Sequence, residues 1–597
     1  MYKTNMPVAV TNFSQHNLDS QHVTTADFMT FNVSKIMELA PNQTIDVKHS
    51  LFARLDAMPV PTFGRGKIHS RAFFVPFRTL TPIWNDMIND TPHVFDDGIE
   101  SVTNVPVINM FNIVLLFVNN SELVSEATES DYDIKYVSYL VNSDTINDTR
   151  YRKFTPFGRN IYKLLRSLGY GFTFSSNFAN TYDSALPLLA ALRVYLDYYF
   201  PAAYENDSES SFIKSLFTYN GADVMRVGAF SQDDLIRIFR VLNRVCYDDD
   251  FFTSAWDYPD APNNSSYSGF SINDIINDNS VDEERVVFGN GTEYGTDQGA
   301  KIVNVNNGAI TSISQYSLDS LKALTDYLKR NQIVGSRNID RYLARFGIKL
   351  QDEKLNRCEY IGDFTQDLTF GDVTSTADTD GAQLGSYAGK GLSFGQGHYS
   401  YQAYEFGFFV IISTIVPDSQ YFEGVARHTM HLSKLDFFTP EFDNLGTQAL
   451  SCREVYSPLD GSEVPGTLDY KEKIFGFVPR YAEYKTPYSQ VTGDFTVRSL
   501  ATGADSWTLF RSVKPFIDNV GGLANFVHDY QFVVGFDSSQ FNRIFYNVDD
   551  SADHFRIIHD FNISSRFPGK SLYDTYDFKD EDKAKKVNME VSGSTLN

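Results

Sequence analysis

Two short strings in this sequence combine residue types that could hold a metal ion. His428 and His431, in R-H-T-M-H, would share one face of a helix, but no third ligand follows at the spacing of a metal site. We favour structural or interfacial histidines, and metal binding stays open. The run from Asp248 to Asp250 lacks the glycine and distal glutamate of a calcium loop, so a solvated turn is the better interpretation.

The glycine-rich string G-K-G-L-S-F-G-Q-G, from Gly389 to Gly397, could surround a phosphate. No strand-like string precedes it and no helical string follows it, so it matches neither the P-loop nor the dinucleotide pattern, and we expect a flexible loop. The chain has no G-x-S-x-G motif and no cysteine with a plausible histidine partner. Its many acidic pairs are expected by chance. The sequence therefore predicts no catalytic residue, no enzyme activity and no cofactor.

Two segments place cations beside aromatic side chains. In the first, Arg65, Lys67 and Arg71 lie near several phenylalanines, and we take these three as candidate DNA-facing residues. The second is F-G-F-V-P-R-Y-A-E-Y-K, which supplies the candidate subunit-interface residues Phe477, Arg480, Tyr481, Tyr484 and Lys485. Such mixtures suit either single-stranded nucleic acid or a protein–protein interface, and for the second segment we favour the interface.

Composition limits the classes of function. The chain has 597 residues and a formal charge of −24, which excludes a surface that attracts nucleic acid everywhere. Residues 91–310 carry 15 Lys/Arg against 30 Asp/Glu, whereas residues 1–90 carry 8 against 7. The three cysteines indicate no disulfide framework, which favours a reducing compartment. No signal-peptide pattern or membrane-length apolar string occurs, so we expect no membrane insertion.

Hydrophobic patterning predicts a β-rich fold interrupted by helices. Apolar and polar residues alternate from Thr44 to Leu55, whereas Phe408 to Val416 is apolar on both faces, as in a buried strand. The string Y-Q-F-V-V-G-F, which begins at Tyr530, also reads as a strand. Helical spacing occurs near residues 186–199, 231–246 and 316–346. This order favours one β sandwich or barrel divided by a large insertion.

Nine strings, in order along the chain, resemble the major capsid proteins of the microviruses, and most closely those of the gokushovirus-like branch of these small icosahedral single-stranded DNA phages. The strings include R-A-F-F-V-P-F-R-T-L-T-P-I-W, L-P-L-L-A-A-L-R-V-Y-L-D-Y-Y, D-D-D-F-F-T-S-A-W-D-Y-P, L-D-F-F-T-P-E-F-D-N-L-G-T-Q-A-L, F-G-F-V-P-R-Y-A-E-Y-K and D-H-F-R-I-I-H-D-F-N-I-S-S-R-F-P-G.

This resemblance implies an eight-stranded antiparallel viral jelly roll with large insertions that contain helices and loops. Residues 1–90 and 396–575 would form the two parts of the jelly roll, residues 91–395 the insertions, and residues 576–597 a flexible tail. One insertion, residues 260–315, would be an exposed Gly/Asn-rich protrusion. Its candidate surface residues are Asn264, Tyr267, Phe270 and Tyr294.

The resemblance also implies a function and partners. Copies of the chain would assemble in the bacterial cytoplasm into a T=1 icosahedral virion shell around single-stranded DNA. The expected partners are a small basic DNA-binding protein, a spike or pilot protein and a host surface receptor. Because a chain at −24 cannot neutralise a genome by net charge, we expect an inner lining of a few basic or aromatic residues.

Two other classes of function remain open at this stage. An acidic, aromatic-rich β-sandwich could be a carbohydrate-binding or glycan-hydrolysing module, and a hydrolase would need two carboxylates close together in a cleft. A tail-fibre or adhesin subunit is the other alternative, although the sequence shows no internal repeat.

Overall fold

The computed structural model describes most of the chain outside the central insertion. The described residues are 13–95, 98–101, 105–137, 149–174, 181–204, 207–217, 230–256, 343, 356–374, 387–432, 434–440, 443, 447–457, 473–496, 504–535, 539–548 and 552–569. The predicted protrusion 260–315, with Asn264, Tyr267, Phe270 and Tyr294, lies outside them. So do the tail 576–597 and, except for Leu343, the predicted helix near 316–346.

The described strands are β1 (Ser14–Asn17), β2 (Ser20–Ala26), β3 (Phe31–Leu39), β4 (Thr44–Leu55), β5 (Gly66–Pro76), β6 (Pro92–Phe95), β7 (Gly98–Ser101), β8 (Val107–Asn109), β9 (Val124–Glu126), β10 (Ile134–Val137), β11 (Thr149–Phe154), β12 (Tyr182–Ser184), β13 (Val245–Cys246), β14 (Glu359–Asp367), β15 (Thr369–Thr374), β16 (Tyr387–Gln402), β17 (Gly407–Pro417), β18 (Gln420–Tyr421), β19 (Thr447–Ser451), β20 (Ile474–Pro479), β21 (Ser489–Gln490), β22 (Val534–Gly535) and β23 (Phe555–Phe567). The described α-helices are α1 (Trp84–Ile88), α2 (Met110–Asn119), α3 (Pro156–Ser167), α4 (Leu186–Val194), α5 (Ser208–Phe217), α6 (Gln232–Leu242), α7 (Cys452–Val455), α8 (Lys514–Asn519), α9 (Tyr530–Val533) and α10 (Ser539–Asn542).

Two antiparallel sheets form the main β-structure. The first contains six strands, in which β23, β4, β16 and β15 follow one another and both β1 and β2 pair with β23. The second has the order β14-β5-β17-β3. Strands β14 and β15 are separated only by Leu368, so the chain crosses there from one sheet to the other. The prediction of a mainly β, antiparallel fold is confirmed; the eight-strand jelly-roll order stays a prediction, and these two sheets together contain ten strand segments.

A hydrophobic core joins the two sheets face to face. Alternate side chains of β4 and β23, such as Val47 and Phe561, pack with Phe74 of β5 and Phe409 of β17. Each apolar side chain of this size stabilises the fold by about 1.5–3 kcal/mol when fully buried. The outward face of the six-stranded sheet stays accessible, because the alternation of β4 leaves Lys48 and its even-numbered neighbours half-buried or exposed.

Helices cover the opposite face of the four-stranded sheet, so β5 and β17 are buried on both faces. Phe73, Val410 and Ile412 point away from the sheet–sheet core into the larger cluster that α2, α4 and α6 share. This explains the continuous apolar string that predicts a buried strand at β17. Helix α4 lies within the range 186–199, where the sequence predicts a helix, and ends in a π-helical turn.

Helix α6 lies within the range 231–246, where the spacing also predicts a helix. Ser231 is its N-cap, because the hydroxyl accepts a hydrogen bond from the Asp234 N–H. Asp233 and Asp234 in the first turn interact favourably with the positive end of the helix dipole.

A second hydrophobic core is formed mainly by residues between β17 and β23, together with residues that precede β14. It contains Phe252, Leu450, Phe475, Phe516 and Phe532 and is built mainly from short strands and short helices. The range 396–575 therefore contributes to the two main sheets through β16, β17 and β23. The residues between β17 and β23 divide between this second core and the larger cluster, which includes Leu509 and Phe541.

The strand predicted from Tyr530 onwards is wrong over its first four residues. Tyr530–Val533 is helix α9, because Asp529 caps it by accepting a hydrogen bond from the Phe532 N–H. An apolar run this short shows no periodicity that would distinguish a buried helix from a strand. The hydrogen bond from the cap stabilises the helical turn.

The flexible loop predicted at Gly389 to Gly397 is also wrong, because this string is the middle of the 16-residue strand β16. The glycines allow close packing between the sheets. A Cβ atom at Gly395 would lie 2.0 Å from the Gln366 Oε1, and one at Gly397 would lie 2.2 Å from the Phe364 ring. Glycine here is thus a packing requirement of two close sheets.

Candidate assembly surface

The aromatic segment F-G-F-V-P-R-Y-A-E-Y-K is held by a two-stranded hairpin. Strand β20 pairs with β19 and ends at Pro479, as a residue without an N–H donor requires. The chain then turns sharply at Tyr481, which has a positive φ of 59°, and enters a 3-10 turn. On the other edge, Phe477 exchanges two backbone hydrogen bonds of 2.7 Å with Trp256.

The five candidate interface residues occupy different environments. Tyr481 is only 1% exposed, and its hydroxyl bonds to the backbone of Thr439, so it fixes the segment from inside the subunit. Phe477 is half-buried. The Arg480 guanidinium lies 4.6 Å from the Tyr481 ring centroid. Tyr484 and Lys485 are exposed, and Lys485 forms a 2.9 Å ion pair with Asp443. Tyr484, Lys485 and part of Arg480 are therefore the groups that can touch a partner.

A cleft of about 470 Å³ opens beside this segment, and Arg480, Tyr481 and Glu483 are among the residues that line it. Arg427 also lines the cleft and bridges two of its carboxylates: its Nη1 lies 3.1 Å from the Glu454 Oε1, and its Nε lies 3.7 Å from the Glu483 Oε1. Burial raises the pKa of the Glu454 carboxyl, and the charge of Arg427 opposes that rise. We call this feature the Arg427 cleft.

Exposed apolar side chains surround the Arg427 cleft. Phe437 packs on His431 with 5.3 Å between ring centroids, and Phe438 packs on Tyr481 at 4.9 Å. The members of this apolar rim, with their exposed fractions, are Leu432 (91%), Phe437 (53%), Phe438 (48%), Ile474 (45%) and Tyr484 (56%). Clustered exposed apolar side chains of this kind mark interaction surfaces, whereas single ones are common on any protein.

The sequence did not single out Arg427 or, apart from Tyr484, the members of the apolar rim. Arg427 directly precedes His428 in R-H-T-M-H, where the two histidines are the residue types that indicate a metal site. His428 lies exposed in a 3-10 turn, and His431 ends that turn and faces the cleft. Within the described part of the chain, no three His, Cys, Asp or Glu side chains converge as metal ligands.

The aspartate run from Asp248 to Asp250 is folded into the subunit. The Asp250 Oδ1 accepts hydrogen bonds from the backbone N–H groups of Phe252 and Thr253, and its Oδ2 accepts one from the Tyr421 hydroxyl. The turn is thus a structural link between the second core and the rest of the chain, and only in part the solvated turn that the sequence suggested.

The three candidate DNA-facing residues differ in how accessible they are. Lys67 forms ion pairs with Asp248 (3.6 Å) and Asp418 (3.4 Å), and the half-buried Arg71 lies 5.4 Å from the Tyr199 ring centroid. Arg65 is exposed. Lys67 and Arg71 are therefore engaged within the subunit, which leaves Arg65 as the most accessible member of the set.

Comparisons with known proteins place this surface in a family context. Residues 241–534 match the family described as capsid protein (F protein). The capsid protein VP1 of Chlamydia phage 1 is 30% identical over 210 residues, which is 35% of either chain. The capsid protein VP1 of Bdellovibrio phage phiMH2K is 26% identical over 232 residues, or 37% of this chain and 40% of that relative.

The resemblance to microvirus capsid proteins is confirmed. The matched range 241–534 contains the Arg427 cleft, the apolar rim and the segment from Phe475 to Lys485. The aligned parts span 35% and 40% of the two relatives' lengths.

The carbohydrate-module alternative gains no support from these relatives or from the cleft. Of the three carboxylates that line the cleft, Glu454 and Glu483 are both bound by Arg427, and Glu454 also accepts a 3.0 Å hydrogen bond from the Ser451 N–H. The third, Asp436, accepts a 2.9 Å hydrogen bond from the Leu432 N–H. All three are engaged within the chain. Separately, none of the described helices is long and apolar enough to cross a lipid bilayer.

Proposed function

We propose that this chain is a coat subunit whose copies self-associate into a T=1 icosahedral shell around a single-stranded DNA genome. The apolar rim of the Arg427 cleft carries the proposal, because it lies inside the range that matches the capsid family. Closed shells require several specific contacts from one surface, and such contacts draw their energy from a few aromatic and arginine anchors.

In this assembly, the apolar rim supplies the buried area and the Arg427 network supplies the rigidity. Arg427 also donates hydrogen bonds of 3.1 and 3.2 Å to the Ala449 carbonyl, so the cleft wall is held in one shape before a neighbour arrives. Exposed Lys485 and Arg480 add polar contacts at the edge. A preorganised surface loses less conformational entropy on association, which favours modest but specific interfaces.

The remaining partners follow from the same proposal. The shell is assembled in the host cytoplasm with a small basic DNA-binding protein and a spike or pilot protein. Residues 260–315 form an exposed protrusion for attachment to the host receptor. Of Arg65, Lys67 and Arg71, the accessible Arg65 is the member that can contact the genome. Replacing residues 260–315 by a short Gly/Ser linker is expected to leave shells intact in electron micrographs while abolishing attachment to host cells.

Negative-stain electron microscopy of the purified chain tests the central claim. We expect shells or ring-like capsomers, and discrete monomers or elongated trimers at all concentrations would contradict it.

The double variant Phe437→Ala/Tyr484→Ala removes two rim anchors and is expected to raise the concentration needed for shell formation by at least tenfold.

The control for this variant is Tyr546→Ala, which removes an even more exposed aromatic side chain after α10, outside the cleft and its rim. It is expected to assemble like the native chain. Circular dichroism and the thermal midpoint of the unassembled subunit should be unchanged in both variants. Equal assembly by the rim variant and the control would show that the rim is not an interface.

A further inference from the structure

The outward face of the six-stranded sheet carries an apolar row across four neighbouring strands. In register, Val23 of β2 lies opposite Ile558 of β23, Ile558 opposite Phe52 of β4, and Phe52 opposite Phe394 of β16. Val23 and Phe394 are each 65% exposed. With strands about 4.8 Å apart, the row extends over roughly 14 Å. We call it the Phe52–Phe394 row.

Cations outnumber carboxylates around this row. The described outward-pointing charges of the sheet are five cations, Lys48, Arg54, Lys390, Arg556 and Arg566, and two carboxylates, Asp46 and Asp560. The chain as a whole has the opposite balance, with 51 Lys/Arg against 75 Asp/Glu. The sheet face is therefore a locally basic surface on an acidic protein.

Aromatic rings and guanidinium groups are in direct contact on this face. The Arg54 guanidinium lies 5.3 Å from the Phe52 ring centroid, and that of Arg566 lies 4.1 Å from the ring of Phe13. Two of these charged groups are already engaged: Asp46 accepts a hydrogen bond from His398, and Arg556 forms an ion pair with Asp56, which directly follows β4.

The face is also rigid, because its other side is the core of the sandwich. Leu51 and Ala53, which flank Phe52 on β4, are completely buried, and β4 pairs with a neighbour along its whole length on both edges. The rings are thus presented on a fixed, nearly flat platform, and little conformational entropy is lost when a ligand settles on it.

We propose that this sheet face binds single-stranded DNA, with bases stacked on Phe394 and Phe52 and phosphates held by Arg54, Lys390 and the neighbouring cations. Aromatic platforms beside cations have this effect without sequence preference, because every unpaired base offers a flat π-face. Duplex DNA fits poorly, since its bases are already stacked. The inference rests on the proposed coat function and identifies where the subunit meets the genome.

A second copy of the chain fits this face less well than nucleic acid does. In a two-fold contact between identical faces, two surfaces with an excess of cations would meet, and an excess of like charge in an interface costs free energy. The basic row is instead complementary to a polyanion.

Fluorescence anisotropy of a labelled 30-nucleotide oligothymidylate, titrated with the full-length native chain, tests the proposal. The variant Phe394→Leu keeps apolar area but removes the ring, and we expect roughly tenfold weaker binding. The variant Arg54→Gln/Lys390→Gln should lower the slope of log K against log salt by about 0.7 for each phosphate that the protein no longer neutralises. A duplex of the same length should bind less tightly than the single strand.

Control variants separate this surface from general effects of charge and exposure. Tyr546→Leu and Lys485→Gln change an exposed ring and an exposed cation elsewhere, and both should bind the oligonucleotide as the native chain does. Unchanged binding by the sheet variants, or equal affinity for the duplex, would overturn the proposal. If the sheet variants impair shell formation but not DNA binding, the face is a chain–chain interface, which also overturns it.

The outcome also separates this inference from the coat function itself. Shell formation is scored without DNA by electron microscopy, so a native chain that forms shells but binds no oligonucleotide contradicts only the DNA-binding face. A chain that binds the oligonucleotide but forms no shells contradicts the coat function instead.

Discussion

His49 and His559 meet inside the β-sandwich, where ionised side chains are costly. The His49 Nε2 lies 3.0 Å from the His559 Nδ1, and both residues are almost fully buried between the sheets. Burial lowers the pKa of His49 to about 3 and the pKa of His559 well below its ordinary value. Both imidazoles are therefore neutral in the folded subunit at neutral pH.

This pair should make the subunit sensitive to acid. The folded-state pKa values lie below the unfolded value of about 6.5, so the unfolded chain binds more protons once the pH falls below about 6.5. Stability is full above that pH and falls by about 1.4 kcal/mol per histidine for each further pH unit, down towards the folded-state pKa. Urea denaturation of the unassembled subunit at pH 7, 6 and 5 would measure this loss.

The variant His49→Gln keeps a polar group beside His559 but cannot titrate, so its stability should fall less steeply between pH 6.5 and 5. His428→Gln alters an exposed histidine outside the two main sheets and serves as the control. Identical slopes for the native chain and the His49 variant would exclude His49 as an acid-sensitive group.

Residue roles in the candidate surface could be predicted only in part. The sequence pointed to the right segment, because four aromatic residues and a proline within eleven positions are distinctive. It did not indicate that the Tyr481 side chain is buried or that Arg427 binds Glu483 in the cleft. Both features depend on contacts with residues tens of positions away along the chain. The local sequence shows which residue types are present, whereas packing in the folded chain determines which way each side chain points.

Among the elements, β16 shows how strongly sheet packing depends on glycine. Gly397→Ala places a methyl group against the Phe364 ring, which lies between the sheets, so we expect a loss of about 1–3 kcal/mol in the free energy of unfolding. Gly371→Ala on the edge strand β15 is the matched control, because its nearest neighbour would be 3.6 Å away. Thermal unfolding of both variants measures the difference, and equal midpoints would mean that the sheets can separate at no cost.

The success of prediction at this scale follows from periodicity. Alternation identified β4, and a continuous apolar run identified β17, because each pattern reports how many faces are buried. Glycine carries no such signal, so β16 resembled a loop until the facing side chains were known. The helix at Tyr530 was missed because its single turn is too short to show a helical period.

At the scale of the whole molecule, the net charge of −24 should give assembly and DNA binding opposite responses to salt. Copies of an acidic subunit repel one another, and salt shortens the range of that repulsion from about 10 Å at 0.1 M to about 3 Å at 1 M. The proposed contact at the rim is mainly apolar and is not weakened by screening. Light scattering should therefore show faster and more complete shell formation as NaCl rises from 50 to 500 mM.

Binding of single-stranded DNA to the basic sheet face should weaken over the same range, because each neutralised phosphate releases counterions, and the benefit of that release declines as salt rises. Measuring both responses on one preparation tests whether the apolar rim drives assembly while the basic sheet face binds DNA. The Phe437→Ala/Tyr484→Ala variant should assemble poorly at every salt concentration while its DNA binding stays native. Shell formation that weakens with salt would instead mean that ion pairs between copies dominate the contact. Lys485 and Asp443, which pair within one chain, could form such a pair if each bound its counterpart on a neighbouring copy.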